Sequence, residues 1–223
     1  MKVCTGPVER LRRASAAWTQ VARAALCGLL LSSCAVPGNA VRPTVHDFGA
    51  GHVGSTQPPA ASLAPVALAA VAAPPALDST ALLYRLGYAD AQQLRPYANA
   101  RWSMAPAQLL QQRLRERLAE QRTVLAPDQA AALRSGPVQA WLLRVELEEF
   151  SQWFDTPQQS RGQLRLRATV TQDTPAGARL LGQRSFAVQR ASPQPDASGA
   201  VQALTSASDA VIDELLRWLN ELN

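Results

Sequence analysis

The sequence predicts an α/β domain of the α+β type: a mixed, largely antiparallel β-sheet with two amphipathic helices packed on one side, in a single domain. Three stretches carry that expectation. Within Gly136–Phe150, Leu143, Val145 and Leu147 alternate with Arg144, Glu146 and Glu148, the two-residue period of a half-buried strand. Leu110, Leu114 and Leu118 recur every four residues, which lines one face of a helix. Val201–Leu222 sets Leu204, Val211, Leu215, Trp218 and Leu222 on one stripe, widened by Ile212, Leu216 and Leu219.

The chain begins with a basic leader. Arg10, Arg12, Arg13 and Arg23 precede an apolar run, Ala24–Leu31, which closes on Leu31-Ser32-Ser33-Cys34. About eight apolar residues are too few to cross a hydrocarbon core, which needs roughly twenty, but they suit the central region of a secretory signal. Small residues directly before a cysteine have the form of a bacterial lipobox. Residues 1–33 are therefore expected to be a lipoprotein signal peptide, cut after Leu31, Ser32 and Ser33, with Cys34 acylated by chains such as palmitate. One chain alone binds a membrane marginally, whereas two or three hold it firmly. An ordinary secretory signal cut nearby would leave Cys34 a bystander; run, small residues and cysteine in register favour the lipobox.

Removing that leader changes what composition implies. The chain of 223 residues has a formal charge of +5, but Lys2 and the four leader arginines against Glu9 hold most of it, leaving about +1 on the remainder. No nucleic-acid partner is expected from a nearly neutral domain. Cys4 and Cys27 also lie in the leader, so neither a disulfide nor a thiolate metal site is expected.

Residues 34–44 contain two prolines and no period, which suits a flexible tether before a domain at 45–223. Ala35 stands where an aspartate favours inner-membrane retention in enteric bacteria, so the outer membrane is expected. Thr44–Gly49 is read as a short strand anchored by Val45 and Phe48, followed by a Gly/Ser/Pro-rich loop at 52–62. Ala64–Ala73 is almost wholly apolar between prolines and reads as a buried strand, with a short helix as the competing reading. Ala81–Tyr88 places Leu82, Tyr84, Leu86 and Tyr88 on one face and Leu83 and Arg85 on the other; Gln93–Ala98, broken by Pro96, completes a hairpin.

Ser103 is positioned to cap a helix over 104–122, with Pro106 in its first turn. Its far side carries Gln111, Arg113, Arg117 and Glu120. Gly162–Thr171 repeats the alternation, with Leu164, Leu166, Ala168 and Val170 inward and Arg165 and Arg167 outward, so a hairpin with 136–150 would set glutamates against arginines. The connection Ser151–Arg161 holds Trp153, Phe154 and Asp155, aromatic residues that mark a partner contact or fold under the sheet edge. Ala178–Gln189 gives a third antiparallel strand through Leu180, Phe186 and Val188, and in the last helix Asp213 and Arg217 are spaced as an i, i+4 pair.

The residues of familiar catalytic motifs are missing. The sequence contains no Gly-rich phosphate loop, G-x-S-x-G elbow or Cys/His metal pattern, and His46 and His52 are its two histidines. The expectation is no enzyme, no cofactor and no metal. Glu146, Glu148 and Glu149 raise the possibility of paired-acid hydrolysis, but opposite arginines they read as a solvated ladder.

The lipobox, then Leu82-Leu83-Tyr84-Arg85-Leu86, Arg95-Pro96-Tyr97-Ala98 leading into Arg101-Trp102, a leucine-rich helix and Val145-Glu146-Leu147-Glu148-Glu149-Phe150 together resemble the ABC-type transport auxiliary lipoprotein family. The likeness runs over about residues 45–222. It implies a periplasmic domain held by lipid at the outer membrane, accompanying an Mce-type system of ABC permease, ATPase and MCE-domain protein that moves lipids between the two membranes. Tyr84, Arg85, Tyr97, Arg101 and Trp102 match the family pattern and, with Trp153 and Phe154, are candidate partner contacts or a structural cluster. Two rivals remain: a lipoprotein assisting another envelope assembly such as lipopolysaccharide insertion, and a periplasmic hydrolase using Glu146 or Glu148. The exposed edges of such a sheet also leave room for a homo-oligomer.

Overall fold

The computed structural model describes residues 42–51, 63–132 and 139–222. The expected signal peptide, Cys34, the expected tether up to Val41, the expected loop 52–62 with His52, and residues 136–138 of the expected strand lie outside them. Among these described residues eight strands and three α-helices follow in order: β1 Thr44–His46, β2 Val66–Leu68, β3 Ala81–Leu86, β4 Asp90–Trp102, α1 Pro106–Ala119, β5 Val124–Leu125, α2 Pro127–Ala132, β6 Trp141–Thr156, β7 Gln159–Thr174, β8 Gly177–Ala191 and α3 Ala197–Glu221.

β6 is the strand around which the sheet is built. One of its edges pairs antiparallel with β7 from Trp141↔Gln172 to Thr156↔Gln159, and β7 pairs antiparallel with β8. The other edge is divided: β2 runs parallel to Trp141–Leu143, and β3 runs parallel to Gln152–Phe154. Beyond β3 the sheet continues to β4 and β1, and beyond β2 to β5. Long antiparallel pairings thus form the body, and short parallel ones join its flanks.

Alternation puts Leu143, Val145, Leu147, Leu164, Leu166, Ala168 and Val170 on one face, all buried against α3 residues such as Leu204, Val211, Leu215 and Leu219. At about 25 cal/mol per Å², burial of this apolar layer is the main force holding helix to sheet. Asp196 caps α3 by accepting from Gly199 N at 2.8 Å, the usual role of an N-cap aspartate. Gly162 allows the closest approach: a Cβ there would lie 2.9 Å from the backbone of Ala203 and Leu204.

Several expectations are corrected. Trp153 and Phe154 are not in a connection: β6 and β7 extend to a tight turn at Pro157-Gln158, because β3 supplies a second partner to the end of β6. Apolar Ala64–Ala73 contributes only three strand residues, in parallel pairing, before a 3₁₀ turn at Pro75–Leu77. Gln93–Ala98 belongs to a thirteen-residue strand that Pro96 does not end. α1 starts after Ala105, with Pro106 in the first turn and no side-chain cap from Ser103, whose N–H instead bonds His46 O. Val45 is 51% exposed and Leu180 60%, while Phe48 is buried; Leu180 turns outward because a register shift separates Thr171↔Leu180 from Val170↔Gly182.

The polar face of α1 is also not a free surface. Arg113 is buried, donating to Phe48 O at 2.5 Å and to Asp209 Oδ1 at 3.3 Å. Arg117 reaches Asp213, which therefore pairs across the helix interface and not with Arg217. Arg122, just beyond α1, is buried to 1% exposure between Asn220, Ala64 O and the Trp141 ring. Burial lowers its pKa, as desolvation does for any cation.

Candidate functional site

Three strands bring the aromatic candidates to one end of the sheet. The parallel register of β3 and β6 aligns Tyr84 with Gln152 and Leu86 with Phe154, and β4 folds back beside β3. Tyr84 and Tyr97 ring centroids lie 4.7 Å apart, and Tyr84 meets Phe154 edge-on at 5.9 Å, both within the range of favourable ring contacts. Tyr97 OH donates to Gln152 Oε1 at 2.5 Å. Gln152 is fully buried, and its amide donates to Ser160 Oγ at 2.9 Å and Ser192 Oγ at 3.3 Å. Burial, then neighbouring Tyr84 and Asp196, raise the Tyr97 phenol above the ordinary tyrosine range, so the hydroxyl is held as a donor.

The opposite face of the same end is charged. Arg85 lies 3.5 Å from Glu149 and donates to Gln92 O at 3.2 Å, while Ser151 Oγ donates to Glu149 Oε1 at 2.6 Å. Trp153 covers Gly87 so closely that a Cβ there would fall 2.4 Å from its ring. The Arg161 guanidinium sits 5.8 Å over the Trp153 ring and pairs with Asp155.

The remaining two candidates stand elsewhere. Trp102 is buried with Phe48 and Phe150, each 5.7 Å away, and its Nε1 has no hydrogen-bond partner. Arg101 is exposed on β4 beside β1. The structure therefore unites Tyr84, Tyr97 and Phe154, places Arg85 and Trp153 on the reverse side, and assigns Trp102 to the core. Gln152, Ser160 and Ser192 escaped sequence reading. The two-residue spacing of Phe150, Gln152 and Phe154 was the available signal, since it continues a strand through an apparent loop.

The glutamate row forms the expected ladder. Glu146 stands opposite Arg167, and Glu148 lies 2.8 Å from Arg165 and 2.9 Å from Arg167. A register shift between Leu147 and Glu149 turns Glu149 towards Arg85. Glu146 and Glu148 border an open groove of about 450 Å³ with Ala72, Ala73, Pro74, Leu147 and Arg165. Glu148 is thus held by two arginines, while Glu146 stands in register with Arg167 on the same charge-matched face. Among the described residues no group of three His, Cys, Asp or Glu is placed to hold a metal, and no helix is long and apolar enough to cross a membrane.

Comparison with known proteins places these features in context. The family model described as "ABC-type transport auxiliary lipoprotein component" matches residues 50–215. A crystal structure of a Xanthomonas campestris protein of the DUF330 family is similar at 18% identity, with a TM-score of 0.57, over 81% of this chain and 94% of that one. A second crystal structure, of an uncharacterised protein, shares 14% identity with a TM-score of 0.53 over 82% of this chain and 99% of that one. Both likenesses are of fold. No curated protein matches the sequence significantly.

Proposed function

Because the chain belongs to the family of ABC-type transport auxiliary lipoprotein components, we propose that it is the lipid-anchored, non-catalytic accessory of an Mce-like lipid transport system. In this reading Cys34 is the acylated residue, the outer membrane is the site of attachment, and the domain docks the transport path through contacts with an MCE-domain protein. The observation that carries the reading is the family match over residues 50–215, which covers nearly the whole folded domain. The ladder of Glu148 with Arg165 and Arg167 adds to it, since that carboxylate is engaged by two cations. In this reading Arg85 and Trp153, on the face opposite the packed Tyr84–Tyr97 pair, are the side chains at that end of the sheet that a docked partner would meet.

Affinity purification of the full chain from envelope membranes tests the docking role. Co-purification of an MCE-domain protein is expected, together with outer-membrane permeability defects on deletion. Capture of a β-barrel assembly component instead would favour the rival envelope-assembly role. Fractionation tests the anchor separately: Cys34→Ser is expected to leave the membrane fraction, and a variant that stayed there with full function would refute acylation at Cys34 as the attachment.

A further inference from the structure

We infer that the free edge of β8 is a docking strand for an extended, acidic segment of a partner polypeptide, which would add to the sheet beside Gly177–Ala191. The inference stands on the geometry of the edge and not on the transport reading above.

Among the described residues β8 pairs with β7 alone, so fifteen residues at the rim of the sheet have one ladder partner there. Other rims are shorter or interrupted: β5 has two residues, and β4 contains Pro96 and is joined by β1 at its end. Natural edge strands are usually kept from pairing by brevity, proline, bulges or inward charges. β8 is long and contains no proline or acidic residue. Its safeguards are one irregularity at Leu181 and three helix-side charges, Arg179, Arg184 and Arg190, which disfavour a neutral or basic strand and admit an acidic one.

Those arginines are aligned. Arg179 pairs in register with Gln172, Arg184 with Ala168 and Arg190 with Gly162. Their β7 partners are separated by even numbers of residues, so all three project to the face of Ala168, the helix side. The irregularity at Leu181 is what puts Arg179 in line, since Arg179 and Arg184 differ by an odd number in sequence. The row spans ten β7 positions, roughly 33 Å of strand.

The charge is poorly compensated where a partner would lie. Between Gln159 and Ala191 there are six arginines and one aspartate. Arg161, Arg165 and Arg167 are paired with Asp155 and Glu148. On β8 itself, Arg184 has Glu221 at 3.8 Å, with both side chains more than half exposed. A second copy paired through the same edge would bring two rows of arginine together, and directly opposed like charges destabilise a strand pair. An incoming strand with acids on alternate positions satisfies both the unpaired backbone and the cations, the logic of β-strand addition.

Fluorescence anisotropy with the full chain in non-ionic detergent tests the inference. The probes are a labelled peptide alternating valine and glutamate, its valine–lysine counterpart, and the glutamate peptide N-methylated on one pairing edge. Saturable binding of the glutamate peptide is expected, with at least roughly tenfold weaker binding of the other two and of the glutamate peptide to the R179E/R184E/R190E chain. Equal binding of the N-methylated peptide would overturn strand addition in favour of charge attraction alone, whatever the fate of the triple variant. Absence of peptide binding, with binding to phosphatidylglycerol vesicles or with self-association, would also overturn it.

Discussion

Tyr97→Phe removes one oxygen from the best-connected polar cluster in the domain. The phenol donates at 2.5 Å to Gln152 Oε1, and Gln152 is fully buried. Phe keeps the ring against Tyr84, so the main loss is the hydrogen bond and the acceptor it leaves unpaired, worth about 1–3 kcal/mol. The pH dependence has a defined sign. Tyr97 ionises only above its ordinary range in the folded protein, whereas in the unfolded chain it titrates near ~10. Its stabilising contribution is thus complete below that pH and falls as pH rises through the window above it, because the unfolded state then releases the proton first. Urea unfolding monitored by tryptophan fluorescence, at pH 7 and in steps above pH ~10, should show the variant less stable at neutral pH and the gap narrowing in alkali. Equal stability at pH 7, or a gap unchanged by alkali, would refute the account of Tyr97 as a buried donor.

Three other substitutions probe separate layers. Gly162→Ala places a methyl group against the backbone of α3 and should cost about 1–3 kcal/mol, read as a drop of several degrees in melting temperature. Arg122→Met should match or exceed the parent in stability, since a buried guanidinium without a carboxylate gains little from its charge, while Arg122→Ala should fall below it by losing the contact with Trp141; thermal unfolding of both variants distinguishes packing from charge. Glu148→Gln should change stability by less than about 1 kcal/mol, as surface pairs do, and leave envelope permeability normal; loss of function with folding intact would revive a catalytic carboxylate.

The body of the fold was legible wherever one face meets the core and the other meets water. Leu143–Leu147 and Leu164–Val170 follow period two because α3 covers one side only, and the Leu110–Leu118 spacing reports a helix pressed on the same layer. The rest depended on long-range pairing that periodicity does not encode. β2 reads as a continuous apolar run because it is flanked by β5 and β6, so its parallel partners cannot be inferred from it. Irregularities at Glu148 and Leu181 reverse which residues face inward; the first has no glycine or proline to announce it, and the second has only the adjacent Gly182, a signal that the even spacing of Leu180, Phe186 and Val188 overrode. Arg113 looked like a solvent-facing residue because its ligands, Phe48 O and Asp209, come from segments 65 and 96 residues away. The site suffered likewise: Gln152 is a hub only because β3, β4 and the start of the α3 segment converge there, and its serine partners are unremarkable in sequence.

Phe48 gives the domain a mechanical character. It lies just after β1, whose three residues pair with the far end of β4, and its ring is locked between Trp102 and Phe150 while Arg113 grips its carbonyl. In a domain held by acyl chains at Cys34, as proposed, this short ladder and this ring are the first described anchors after the attachment point. The load would fall on β1, the outermost strand on its side of the sheet, and then on the core at Phe150 on β6 through Phe48. Resistance to such a pull is set by the rate of unfolding and not by equilibrium stability. Phe48 is then the cleat to which the mooring line is tied, and shortening its side chain would let the line slip while most of the sheet stayed folded.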